Sequence, residues 1–94
     1  MASKRRPALV LSNETVNGTG DVFLMQVTSK SKRDGLSFLL ENRFLSSPLP
    51  LTSFVRLHKV FTLDQKLIVA KLTSLEKSKF NEVIEAFIGL IKKG

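Results

Sequence analysis

The chain has 94 residues, 43% hydrophobic and 24% charged, enough for one domain with a single modest core. It has no cysteine and one histidine, which excludes disulfides and thiolate metal sites and leaves a zinc centre without its usual ligands. The net charge of +7 is uneven: six Lys/Arg against Glu14 and Asp21 leave +4 over residues 1–33, residues 34–64 balance, and residues 65–94 carry +3.

An excess of cations at both ends favours a polyanionic partner, either nucleic acid or an acidic protein segment. No apolar run approaches the roughly 18 residues of a membrane span. The basic start lacks the apolar region of a signal peptide. The expectation is a cytoplasmic protein of residues 1–94 as a single domain, with no metal, cofactor or membrane partner.

In chain order, Lys4-Arg5-Arg6-Pro7 leads into Ala8-Leu9-Val10-Leu11 and a polar stop at Ser12-Asn13. Proline holds φ near about −65° and biases Arg6 towards extended backbone. The apolar run suits a strand buried on both faces, although periodicity also allows a helical segment. Arg6 then stands at the mouth of a core strand, well placed to hold a phosphate. A merely solubilising basic start is the alternative.

Residues 13–20 read as a loop, with Asn17-Gly18 and Gly20 in turn positions. Residues 21–29 form the next strand, with Phe23, Met25 and Val27 on one face and Val22, Leu24, Gln26 and Thr28 on the other. From Leu24 through Gln26 to Thr28, that second face turns from core to an open, polar end. Lys30, Lys32 and Arg33 follow at once, so hydroxyls and cations converge there. A solvated charge cluster at a strand exit is the alternative.

Residues 36–40 make a short third strand, and residues 41–50 an irregular crossing with Pro48 and Pro50. Residues 52–60 form a strand whose period of two puts Phe54, Arg56 and His58 on one side and Val55 and Leu57 on the other. Two ionisable groups on one strand face mark either solvent or a site. Asp64-Gln65-Lys66 turns the chain into a last strand at residues 67–72. A helix over residues 78–92 carries an apolar stripe of Phe80, Val83, Ile84, Phe87, Leu90 and Ile91. Lys92 and Lys93 suit the negative end of its dipole, and Gly94 its stop. The stripe reads as a lid on the sheet, with a partner-binding face as the alternative.

The chain has no nucleophilic cysteine and no recognisable Ser-His-Asp context, and Gly18 and Gly20 do not form a phosphate-cradling motif. The remaining polar set is Arg6, Thr28, Ser29, Arg56 and His58. It suits cleavage of RNA by its own 2′-hydroxyl, where the protein need only remove a proton, supply one and neutralise the phosphorane. Histidine fits the base and arginine the charge.

Four blocks carry a family resemblance: Arg6-Pro7-Ala8-Leu9-Val10-Leu11-Ser12-Asn13, Gln26-Val27-Thr28-Ser29, Val55-Arg56-Leu57-His58-Lys59-Val60-Phe61-Thr62-Leu63-Asp64, and the tail from Leu72 and Leu75 through the closing helix. In this order they resemble the MazF/PemK toxins across nearly the whole chain. The resemblance implies a small, mainly β, SH3-like barrel with a C-terminal helix, usually dimeric. It implies metal-independent cleavage of single-stranded mRNA, neutralised by an acidic antitoxin.

Carried over, Arg6 matches the catalytic arginine and Thr28 its accompanying threonine. Arg56 matches an acid or phosphate clamp, and His58 stands where some members place an aspartate base. Arg5, Ser29, Lys30, Lys32 and Arg33 are expected to bind RNA. The family opens with a further strand, whereas five residues precede Arg6 here, so the domain is expected to be N-terminally short. Phe61 replaces an arginine found in one branch. Alternatives are a non-catalytic or degenerate barrel that binds an acidic segment or nucleic acid, and a gyrase-poisoning toxin.

Overall fold

The computed structural model describes residues 5–30 and 32–92; Lys4, Lys93 and Gly94, which figured in the sequence reading, lie outside the described residues. In chain order the elements are β1 (Ala8–Val10), α1 (Glu14–Asn17), β2 (Asp21–Thr28), β3 (Ser37–Leu40), β4 (Ser53–Asp64) and α2 (Lys77–Lys92), with short 3-10 turns at Asn42–Phe44 and Gln65–Leu67. The strands make one antiparallel sheet in the order β1-β2-β4-β3, closed by the C-terminal helix. This is the mainly β architecture with a terminal helix that the sequence implies.

Met25, Val27, Leu40, Val55, Leu57 and Val83 form the core, with Leu9, Phe38 and Phe87 packed against them. Val83 brings α2 onto the sheet, and each fully buried side chain of this size is worth about 1.5–3 kcal/mol. The alternation of β2 holds only in part, because Phe23, expected beside Met25 and Val27, is 43% exposed. Met25 and Val27 enter the core, while on the other face Val22 and Leu24 are buried and Gln26 and Thr28 half-buried.

β4 is bent. Met25 pairs with Val60 and Val27 with Val55, so the residues between Val55 and Val60 lie opposite Gln26 alone. That bulge breaks the strand's alternation, and both halves of the strand pair antiparallel with β2.

Five expectations are corrected. β1 is not buried on both faces: it is an edge strand with a single neighbour, which leaves Ala8 and Leu9 half-buried and Val10 exposed. Residues 13–20 are not all loop, because Asn13 accepts the Thr15 N–H at 3.0 Å and caps the short helix α1. The fourth strand does not stop at Val60 but runs through the bulge to Asp64.

Residues 67–72 form no strand. They run on from the 3-10 turn at Gln65–Leu67 and pair with none of the four strands, and Leu67, Val69 and Leu72 stand more than 60% exposed. Finally, only Val83 of the α2 stripe is buried; Phe80, Ile84 and Phe87 are half-buried, and Leu90 and Ile91 are exposed.

Candidate active site

β1 and β2 pair with Ala8 opposite Gln26, Leu9 opposite Met25 and Val10 opposite Leu24. The Val27 N–H donates to the Pro7 carbonyl at 3.2 Å, which extends the ladder past the end of β1. Continued past Pro7, the same register brings Arg6 opposite Thr28. Proline has no N–H to offer the ladder and is tolerated here because the strand is an edge. On its other side Thr28 pairs with Phe54, which also pairs with Leu39, and Arg56 pairs with Ser37. Paired residues share a face of the sheet. Arg6, Thr28, Phe54 and Arg56 therefore lie on the face opposite the Met25–Val27–Val55 core.

Thr28 is half-buried, and its Oγ1 accepts the Lys30 N–H at 3.1 Å. A hydroxyl used in this way keeps its own proton to donate to a phosphate oxygen. Arg5, Arg6, Ser29, Lys30, Lys32 and Arg33 are all exposed around this end of β2.

Arg56 is only 6% exposed. Its Nη1 donates to Asp34 Oδ1 at 3.0 Å and to Ser37 Oγ at 2.7 Å, and its Nη2 donates to Asp34 Oδ2 at 2.8 Å. The Arg56 hydrogen bonds, together with the Leu36 N–H, hold the Asp34 carboxyl well below the usual carboxylate range. The same contact raises the Arg56 guanidinium further. The open solvent face allowed by the sequence is not what Arg56 meets.

His58 is exposed and falls inside the β4 bulge. Its expected place beside Arg56 rested on unbroken alternation, which the bulge interrupts, so strand period no longer sets the two on one face. Sequence reading also missed Asp34 and Ser37. The available signal was an arginine between the apolar Val55 and Leu57, which needs a partner if buried, and an Asp34-Gly35 turn able to supply one.

Solved structures share this fold. The Mycobacterium tuberculosis toxin MazF-mt6 has a TM-score of 0.78 at 18% identity, covering 95% of this chain and 88% of that one. The Deinococcus radiodurans MazE-MazF structure (Form-I) has a TM-score of 0.77 at 28% identity, covering 95% and 84%. An endoribonuclease in complex with its cognate antitoxin, from a Mycobacterial species, has a TM-score of 0.76 at 21% identity, covering 95% and 84%. None of the curated proteins compared with the chain matches it. The family model described as PemK-like, MazF-like toxin of type II toxin–antitoxin system matches residues 2–91. The chain belongs to that PemK-like, MazF-like toxin family.

Proposed function

We propose that the chain is the toxin of a toxin–antitoxin pair and an endoribonuclease that cuts single-stranded mRNA in the cytoplasm without a metal. The observation that carries this is the β1–β2 register, which sets Arg6 opposite Thr28 where β2 opens into exposed cations. In this mechanism the substrate's 2′-hydroxyl attacks its own phosphorus and His58 takes the proton. The new O2′–P bond forms as P–O5′ breaks, and the leaving O5′ takes a proton from water. Arg6 neutralises the phosphorane and Thr28 donates to a non-bridging oxygen. Arg5, Ser29, Lys30, Lys32 and Arg33 hold the flanking backbone. The resemblance offers Arg56 as acid or clamp, whereas its fork faces Asp34.

Two partners complete the reading. The charge of +7 and a relative solved with its cognate antitoxin support an acidic antitoxin segment laid over the cationic face. The exposed Leu67, Val69 and Leu72 support a homodimer. No helix among the described residues is long and apolar enough to cross a membrane.

The test is incubation of the purified chain with single-stranded RNA in the presence of a chelator, with the product ends mapped. Products ending in 2′,3′-cyclic phosphate and 5′-hydroxyl are expected, and a substrate with 2′-deoxyribose at the cut position should resist. RNA that is bound but never cut makes the chain a non-catalytic binder.

A further inference from the structure

A guanidinium at 6% exposure needs a built partner, and Arg56 has one assembled from a distant turn. Asp34 lies at the exit of the turn that leaves β2. Its Oδ1, besides accepting from Arg56, accepts the Leu36 N–H at 3.0 Å. Gly35 takes a φ of 75°, which L side chains rarely adopt, and so lets the chain fold back tightly. The Leu57 N–H donates to the Leu36 carbonyl at 2.8 Å, tying the same turn to β4. At the entry, Thr28 Oγ1 holds the Lys30 N–H. Lys32 and Arg33, both exposed, immediately precede Asp34. The buried arginine therefore anchors the turn directly behind two solvent-facing cations, next to the strand end that carries Thr28.

We infer that Arg56 is a positioning residue: by holding Asp34 it fixes Lys32 and Arg33 beside the Arg6–Thr28 face, so that RNA meets a preformed row of cations. This rests on the RNA-cleaving function proposed above. Preorganised charge gains affinity because the substrate need not order the turn on binding. The kinetic signature is on KM and on salt dependence, whereas a group on the reacting phosphate acts on kcat.

The decisive variant is Asp34→Ala, because its two effects have opposite signs. Removing a carboxylate beside the site strengthens polyanion binding by simple charge. Releasing the turn weakens it. The probe is single-stranded RNA of mixed sequence with methylated 2′-hydroxyls, which binds but cannot be cut. Asp34→Ala should lose affinity on the order of tenfold, and the slope of log K against log salt should shrink by about 0.7 for each cation released. With cleavable RNA, KM should rise and kcat should stay near the parent's. Arg56→Met should match it, and the double variant should be no worse than either single one.

Amide exchange over residues 32–36 should speed up in Asp34→Ala, and this reads the turn without reference to RNA. Binding as tight as the parent's, or unchanged exchange, overturns the inference. So does an Arg56→Met protein that loses kcat with KM held, since Arg56 would then touch the phosphate itself. If Arg56→Met does not fold, the sign of the Asp34→Ala effect decides. A parent chain that binds no RNA fails the proposed function before any variant is compared.

Discussion

Arg56 and Asp34 meet through two hydrogen bonds of 3.0 and 2.8 Å across 22 positions of chain, one residue on the long bent strand and the other on the turn that leaves β2. Bidentate contact of this kind fixes orientation as well as charge. It joins the polar end of the sheet to its most cationic turn.

This pair sets an acid limit on stability. Asp34 has its carboxyl lowered by Arg56, so its contribution is fully present above the unfolded value of about 3.9 and is lost as pH falls through the lower folded value. Asp34→Asn should melt several degrees below the parent at neutral pH. The gap should hold down to about pH 4 and close on further acidification. Thermal melts of both proteins across that range check the sign. A gap that widens with acid contradicts it.

His58 is the proposed base, placed on the β4 bulge rather than on a regular strand face. His58→Ala should lose cleavage on the order of 10²–10⁴-fold while RNA affinity stays near the parent's. His58→Asp, which supplies the carboxylate that relatives are expected to use, should keep measurable activity. Single-turnover rates on one labelled RNA separate the cases. A His58→Ala protein as fast as the parent makes this a surface histidine.

The sequence was readable where local pattern and burial agree. Leu24, Gln26 and Thr28 showed one face of β2 passing from apolar to polar, and the structure follows that gradient. Residues 67–72 misled for a physical reason. An apolar, β-branched stretch satisfies strand propensity whether it meets a neighbouring strand, a second protein or water, and here it pairs with none of the four strands. Strand period does not fix the face of His58, because a bulge adds residues without leaving a mark in the pattern. Asp34 had only an indirect signal: Arg56 between two apolar neighbours called for a partner, but nothing local to either residue pairs a turn with a strand so far along the chain. α1 was missed although Asn13 followed by Glu14 is a helix-start signal, since the neighbouring Asn17-Gly18 and Gly20 pointed to a loop.

The exposed Leu67, Val69 and Leu72 predict self-association. Sedimentation at micromolar concentration should give a dimer. Val69→Glu, at a position 64% exposed and so without cost to the fold, should shift it towards monomer. A parent that sediments as a monomer and still melts cooperatively removes the dimer from the account.

The most direct test compares Arg6→Ala with Lys92→Ala for cleavage of single-stranded RNA. Arg6 stands opposite Thr28 by strand register, whereas Lys92 is a charge at the end of α2. Both positions lie outside the core cluster, so both variants should melt like the parent. Losing an electrostatic donor to the transition state costs on the order of 10²–10³ in rate. Arg6→Ala should fall by that factor and Lys92→Ala should stay near the parent. An Arg6→Ala protein that cuts RNA at the parent's rate contradicts the proposed site.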